Sequence, residues 1–206
     1  IWQYEQWPHF CWNDSNIISL LARVRQQQGQ LLGLMSSMGF DTQSHNALEV
    51  MTEDVLRNAE IEGMLLNPEH VRSSVARHLG LDCAGMPEAD HYTEGVVQVL
   101  MDAVQHANAP LTEERLFNWH AALFPTGRSG ITAITVAAWR QGAEPMQVVS
   151  GAIGKEQVHY EAPPSERLPQ EMAQFLQWIN SEASIDPVLK AAVAHLWFVN
   201  IHPFDD

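Results

Sequence analysis

Asp186-Pro187-Val188-Leu189-Lys190-Ala191-Ala192-Val193-Ala194-His195-Leu196-Trp197-Phe198-Val199-Asn200-Ile201-His202-Pro203-Phe204-Asp205-Asp206 closes the sequence. Asp186 can cap a helix, and Pro187 fits its first turn, where a missing N–H costs nothing. From Val188 to Ile201 the run is apolar on nearly every side, which predicts the buried central helix of a helical domain. Pro203 cannot continue that helix. His202 is thereby placed at the mouth of a loop, directly after a rigid element. A titratable imidazole held there, followed by Phe204 and two carboxylates, has the makings of a catalytic corner. The plainer alternative is a helix ending in ordinary surface His and Asp.

The bulk composition bounds the rest. The chain has 206 residues, 46% of them hydrophobic, with seven Trp, so it can fill one sizeable domain or two small ones. A formal net charge of −14, from 25 acidic and 11 basic residues, argues against a general nucleic-acid or anionic-membrane binder. Cys11 and Cys83 fit no metal spacing and are too few for a disulfide framework, so a reduced, cytoplasmic compartment is the simpler expectation. No apolar run reaches spanning length and no signal peptide is evident. Because Ile1 is not an initiator Met, the sequence is expected to start inside a longer chain.

In chain order, Trp2, Tyr4, Trp7, Phe10 and Trp12 form an aromatic arm around Pro8. Left in water it would be adhesive, so it is expected to pack on the helices that follow. Asp14 or Ser15 caps a predicted helix to about Met38, stopped by Gly39. Its stripe of Ile17, Leu21, Val24, Gln28, Leu31, Met35 and Met38 has heptad-like spacing and is read as intramolecular core rather than a dimer seam. A second helix runs from about Ser44 to Glu62, with Leu48, Met51, Val55 and Ala59 inward and Gly63 as its stop. Continuing that stripe by three lands on Glu62, a carboxylate that opposes the helix dipole. It needs a cationic partner or a task, unless the last turn frays and it simply faces water.

Asn67-Pro68 opens a third helix to about Leu79, ended by Gly80; His70, Arg72, Arg77 and His78 on it are read as a solvated basic face. A fourth helix spans about Tyr92 to Ala107, and Thr112 caps a fifth through about Leu123. Then Ile131–Trp139, Met146–Val149 and Val158–Glu161 carry β-branched runs, read as short strands or a hairpin inserted in a helical protein. Leu168, Met172, Phe175, Leu176 and Ile179 trace a further amphipathic helix. The fold class is mainly α, a helical bundle with a short β-hairpin. The domain boundary is expected in the loop near 80–90, giving 1–85 and 86–206.

His202-Pro203-Phe204-Asp205-Asp206 after a buried helix resembles the start of the Fic (Fido) family signature, H-P-F-x-[D/E]-G-N-G-R. Gly151 to Pro164 resembles the Fic flap, and Glu62-Gly63 the end of the family's inhibitory motif, [S/T]-x-x-x-E-[G/N]. Residues 1–80 resemble the helical domain that precedes Fic in one bacterial branch. The resemblance implies a Fic-like bundle whose remaining part, including the Gly-Asn-Gly-Arg phosphate nest, lies outside this sequence. It also implies transfer of AMP from ATP to a hydroxyl on a target protein. His202 would be the catalytic base, and an imidazole's ordinary pKa of about 6.5 suits that task. Phe204 and Asp206 fall in the nucleotide-binding part of the loop, Phe204 as the anchor that buries it and Asp206 as the Mg²⁺ ligand. Asp205 is the variable position and receives no role.

By the same resemblance Val158, His159, Tyr160 and Glu161 form the flap that takes the target by main-chain pairing. Glu62, with Asn58 and Gly63, would hold the enzyme down by occupying an arginine of the signature. Asn58 stands where the family has Ser or Thr, a departure that weakens the motif. Partners are ATP and a hydroxyl-bearing protein, with no nucleic acid and no membrane; a homo-oligomer is left open. Three other readings stay in view: AMP removal or transfer of another phosphate-containing group, a non-catalytic regulatory module, and a zinc site from His195, His202 and a folded-over His159.

Overall fold

The computed structural model describes residues 1–37, 40–142, 146–152, 155–182 and 185–205, and for residues 40 and 41 only the helical backbone. Among these the chain forms α1 (Asp14–Ser36), α2 (Phe40–Ile61), α3 (Pro68–His78), α4 (His91–Gln105) and α5 (Glu113–Leu123). The strands β1 (Arg128–Ser129), β2 (Thr132–Ala133), β3 (Gln147–Ser150) and β4 (Gln157–Glu161) follow, then α6 (Leu168–Ile179) and α7 (Pro187–Ile201). The fold is the mainly α bundle with a small hairpin that the sequence predicts. No helix among the described residues is long and apolar enough to cross a membrane.

Packing divides the chain into two compact units. One is Asn13–Ala109 with Ala121–Thr126; the other joins Ile1–Trp12, Pro110–His120 and Gly127–Asp206. The aromatic arm is thus built into the unit that holds the end of the chain.

In the first unit Leu48 and Val55 of α2, Val71 and Val75 of α3, and Val97 and Met101 of α4 form one buried cluster. The caps are those the sequence offers. Asn67 accepts the Glu69 amide at 2.9 Å to start α3. At the end of α2, Gly63 takes φ 75° and its N–H donates to Glu60 O at 3.0 Å, while Met64 N–H reaches back to Ala59 O at 2.8 Å, a glycine-closed turn. The basic face of α3 is not merely solvated: Arg72 pairs with Glu49 at 2.6 Å, and Arg77 and His78 reach Glu94 at 3.2 and 3.0 Å. Acids on α2 and α4 lie across from it, something charge counting along one helix does not reveal.

Two expectations for α1 change. Its cap is Asn13, whose side chain accepts the Ser15 amide, not Asp14 or Ser15. Its stripe is not core either: α1 has no buried residue, and Val24 and Leu31 of the stripe are 44% and 58% exposed. Heptad spacing identifies an apolar seam but says nothing about what covers it. Met38 and Gly39, the expected end of this helix, lie outside the described residues.

Asp90 caps α4, accepting the Thr93 amide at 2.8 Å and the Thr93 hydroxyl at 3.0 Å. The amide bond is the main reason its carboxyl sits below the ordinary value of 3.8; partial burial opposes this, and Thr93 and His70 side chains assist. A depressed folded pKa means the carboxylate's contribution is complete above the ordinary value and is lost as pH falls through the folded one. Asp90→Ala is expected to cost about 1 kcal/mol at neutral pH. Asp90→Asn keeps an acceptor oxygen, so it should cost less and flatten the acid side of the stability profile. Urea unfolding from about pH 7 down to about pH 2 reads both effects.

In the second unit α6 buries Leu168, Met172 and Phe175 against Trp197 and Ile201 of α7. Asp186 caps α7 as expected, accepting the Val188 amide at 2.8 Å. The expectation of an all-round buried helix is corrected: only Trp197 and Ile201 are buried, while Leu196 and Val199 are 46% and 52% exposed. Within this unit α7 is covered on one face, by α6 and the arm. Trp7, Phe10, Phe175 and Trp178 ring Trp197 at centroid distances of 6.0, 6.0, 5.7 and 5.3 Å. The arm is latched by polar contacts as well. Trp2 Nε1 donates to Glu161 O at 2.7 Å and Trp7 Nε1 to the buried Glu171 carboxylate at 2.9 Å. The arm therefore packs, as expected, on helices that follow it, here ones more than 150 residues downstream.

The strand reading of Ile131–Trp139 also contracts, to Thr132–Ala133 in β2, paired with β1. The rest is irregular because its amides are used elsewhere: Thr135, Ala137 and Arg140 donate to Asp205, His120 and Pro203.

Candidate active site

The end of α7 is held by residues that reach it from three directions. His202 is the C-cap in the left-handed region, φ 46° and ψ 66°, a conformation that costs a non-glycine residue energy and persists only where its surroundings fix it. Its amide donates to Phe198 O at 3.0 Å. Its carbonyl accepts from Arg140 Nε at 2.7 Å, and Arg140 N–H donates to Pro203 O at 2.8 Å. A second guanidinium nitrogen of Arg140 donates to Pro163 O and, at 3.5 Å, to Ile201 O. Tyr160 hydroxyl donates to Asn200 O. Burial pushes the Tyr160 phenol up to about 12, so it stays protonated and a donor. Burial likewise draws Arg140 below the ordinary guanidinium value, with Tyr160 and Asp205 opposing.

Phe204 anchors the loop. Its ring stacks on His120 at 4.2 Å between centroids and 14° between planes, with Trp139 at 5.2 Å. His120, itself buried, accepts the amide of Ala137 at Nδ1 over 3.3 Å, where Ala137 has φ 56°. Asp205 receives a structural role that the sequence did not suggest: its carboxylate accepts the Thr135 amide at 3.0 Å. The segment 134–140 and the loop 202–205 are thereby stitched together.

Beside this lies a cavity of about 440 Å³, lined by Ser129, Thr132, Arg140, His202, Phe204 and Asp205 among others. It falls within the usual size range for small-molecule sites. Thus His202, Phe204 and Asp205 converge on one concave surface with two hydroxyls and a guanidinium. Asp206, the expected Mg²⁺ ligand, lies outside the described residues. Among the described residues no group of three or more His, Cys, Asp or Glu forms that could hold a metal ion, so the zinc arrangement of His159, His195 and His202 is not assembled. His195 is exposed on α7.

The stretch expected to be the flap forms the β3–β4 hairpin, with Gln147 opposite Glu161, Val148 opposite Tyr160 and Val149 opposite Val158. The register skips His159, which forms the bulge and meets Ser150 Oγ through Nε2 at 2.6 Å. Val158 and His159 are exposed; Tyr160 and Glu161 are half-buried at the base of the hairpin. Asn58 and Glu62 are both exposed in the other unit, where Glu62 N–H donates to Asn58 O at 3.3 Å just before Gly63. Sequence reasoning missed Arg140 and His120. The available signal was thin: a lone arginine in an apolar stretch, and a histidine on an otherwise apolar helix face.

Residues 110–206 match the Fic/DOC family, and residues 1–81 match a domain of unknown function, DUF4172. No curated protein matches the chain. Among solved structures, a Fic family protein from Desulfovibrio desulfuricans G20 is similar, at 20% identity and a TM-score of 0.56, over 97% of this chain and 55% of that one. At that identity the likeness speaks to the fold, and this chain spans about half the length of that protein. With the β3–β4 hairpin, α6, α7 and the His202 loop all inside the matched region, residues 110–206 form a Fic/DOC family domain, preceded by the DUF4172 domain.

Proposed function

We propose that the full-length protein is an AMP transferase, moving AMP from ATP to a hydroxyl side chain of a target protein. The observation that carries this reading is His202, fixed in a left-handed cap at the rim of a cavity beside a flap. A Ser, Thr or Tyr hydroxyl is a weak nucleophile until a base takes its proton. In the proposed step the acceptor oxygen bonds to the α-phosphorus of ATP, the bond to the leaving pyrophosphate breaks, and the hydroxyl proton passes to the His202 imidazole. The flap aligns the acceptor by adding the target segment as a strand, which reads little sequence. Mg²⁺, when bound, would neutralise phosphate charge. Its assigned ligand Asp206 lies outside the described residues, so no step rests on it.

Glu62 is the restraint in this reading. The glycine-closed end of α2 gives it a defined position rather than a frayed one. Labelled ATP with Mg²⁺ tests this on the full-length protein. Glu62→Gly is expected to raise label on protein by at least about fivefold, the low end of ordinary regulatory coupling. Equal label in both forms removes Glu62 as the restraint. No label in either form, with AMP released from a modified target instead, turns the reading to AMP removal.

A further inference from the structure

A buried helix end must find partners for its last carbonyls. The usual device is a main-chain amide just past the cap, folding back on the last turn. Here the residue after His202 is Pro203, which has no N–H to give. Side chains take the carbonyls of residues 200, 201 and 202 instead. Tyr160 takes Asn200 O, and Arg140 takes His202 O at 2.7 Å and Ile201 O at 3.5 Å. A cation is well placed there, because the C-terminal end of a helix carries partial negative charge.

The same guanidinium does one thing more. It donates to Pro163 O, at the foot of the flap, where the neighbouring Ala162 N–H pairs with Met146 O at 2.9 Å to close the hairpin base. One buried side chain therefore grips the loop that presents His202 and the strand end from which the flap rises. Arg140 comes from neither: it lies 23 residues before Pro163 and 62 before His202.

We infer that Arg140 is a positioning residue that couples the flap to His202, so that seating an acceptor on the flap and aligning the base are one event rather than two. This rests on the proposed role of His202 as base. The planar fork is required, since its nitrogens point at separate carbonyls in fixed directions. A lysine ammonium keeps the charge but cannot span both.

The test has two arms. In the full-length wild type, hydrogen exchange with increasing denaturant is followed at the Ala162 and His202 amides. One clamp predicts that both open together, with the same denaturant dependence and protection agreeing within about twofold. Independent opening, with the flap amide exchanging more than about tenfold faster, overturns the coupling. In Arg140→Lys and Arg140→Gln, both amides should exchange about tenfold faster while those around Phe175 and Trp197 keep their protection. Equal loosening of that core assigns Arg140 a merely structural role and overturns the proposal. With ATP and acceptor, both variants should lose about a hundredfold in kcat with little change in half-saturation by ATP. Wild-type-like turnover in Arg140→Lys also overturns it. If wild type transfers no AMP, the functional reading fails, and the exchange arm still decides whether the clamp exists.

Discussion

His202→Ala in the full-length protein is expected to lower transfer of label from ATP to protein by about 10³-fold, the middle of the range for a general base. Alanine alone is an ambiguous probe, because position 202 sits at φ 46° and alanine tolerates that region poorly. Strain and loss of the base would be mixed in one number. His202→Asn separates them. Asparagine visits the left-handed region readily and offers no base, so it should keep the wild-type melting temperature and show the same loss of turnover. Nucleotide affinity by calorimetry should change little in either variant, since the imidazole is assigned to the acceptor's proton and not to ATP. Label retained by His202→Asn within about tenfold of wild type would remove His202 as the base.

The largest stability effect is expected at Gly95 on α4. A Cβ placed there would lie 2.0 Å from Ala122 O and 2.8 Å from Ala122 C, both main-chain atoms. Main chain at the end of α5 cannot swing aside as a flexible side-chain tip would, so the two segments must separate. Gly95→Ala should cost about 3 kcal/mol, the upper part of the overpacking range. That is a net figure: in an open helix the same change stabilises by about 0.5–1 kcal/mol. Gly29 and Gly33 on α1 supply the control, because a Cβ at either meets nothing within 4 Å. Gly29→Ala should raise the urea midpoint and Gly95→Ala should lower it sharply. If the two glycines respond alike, the contact at Ala122 is not what constrains position 95.

What the sequence disclosed about this fold is what short-range chemistry controls. Asn67-Pro68, Asp186-Pro187 and Thr112 open helices where expected, and Gly63 and Gly80 close them with positive φ. The loop after α7 was legible because His202, Pro203 and Phe204 are contiguous. Burial was not, because it depends on what arrives from far along the chain. The stripe of α1 and the apolar run of α7 both looked internal, and both keep large apolar residues in water. Arg140 and His120 were invisible for a related reason. They act on carbonyls, an amide and a ring up to 84 residues away, partners that leave no mark on local spacing. Asp205 looked like filler within the motif until the Thr135 amide was found on its carboxylate.

The latch between the arm and the flap bears on how the chain assembles. Trp2 meets Glu161 across 159 residues, and Trp7 meets Glu171 across 164. Contacts of that span are slow to form, since a long loop must close before they return any stabilisation. The arm is the first part of this sequence to leave the ribosome and must wait for α6 and α7, exposing Trp and Phe side chains meanwhile. Because chains are made from the N-terminus at roughly 5–20 residues per second, that wait is on the order of ten seconds or more. The first twelve residues are thus expected to offer a chaperone apolar surface on the nascent chain until α6 and α7 have emerged.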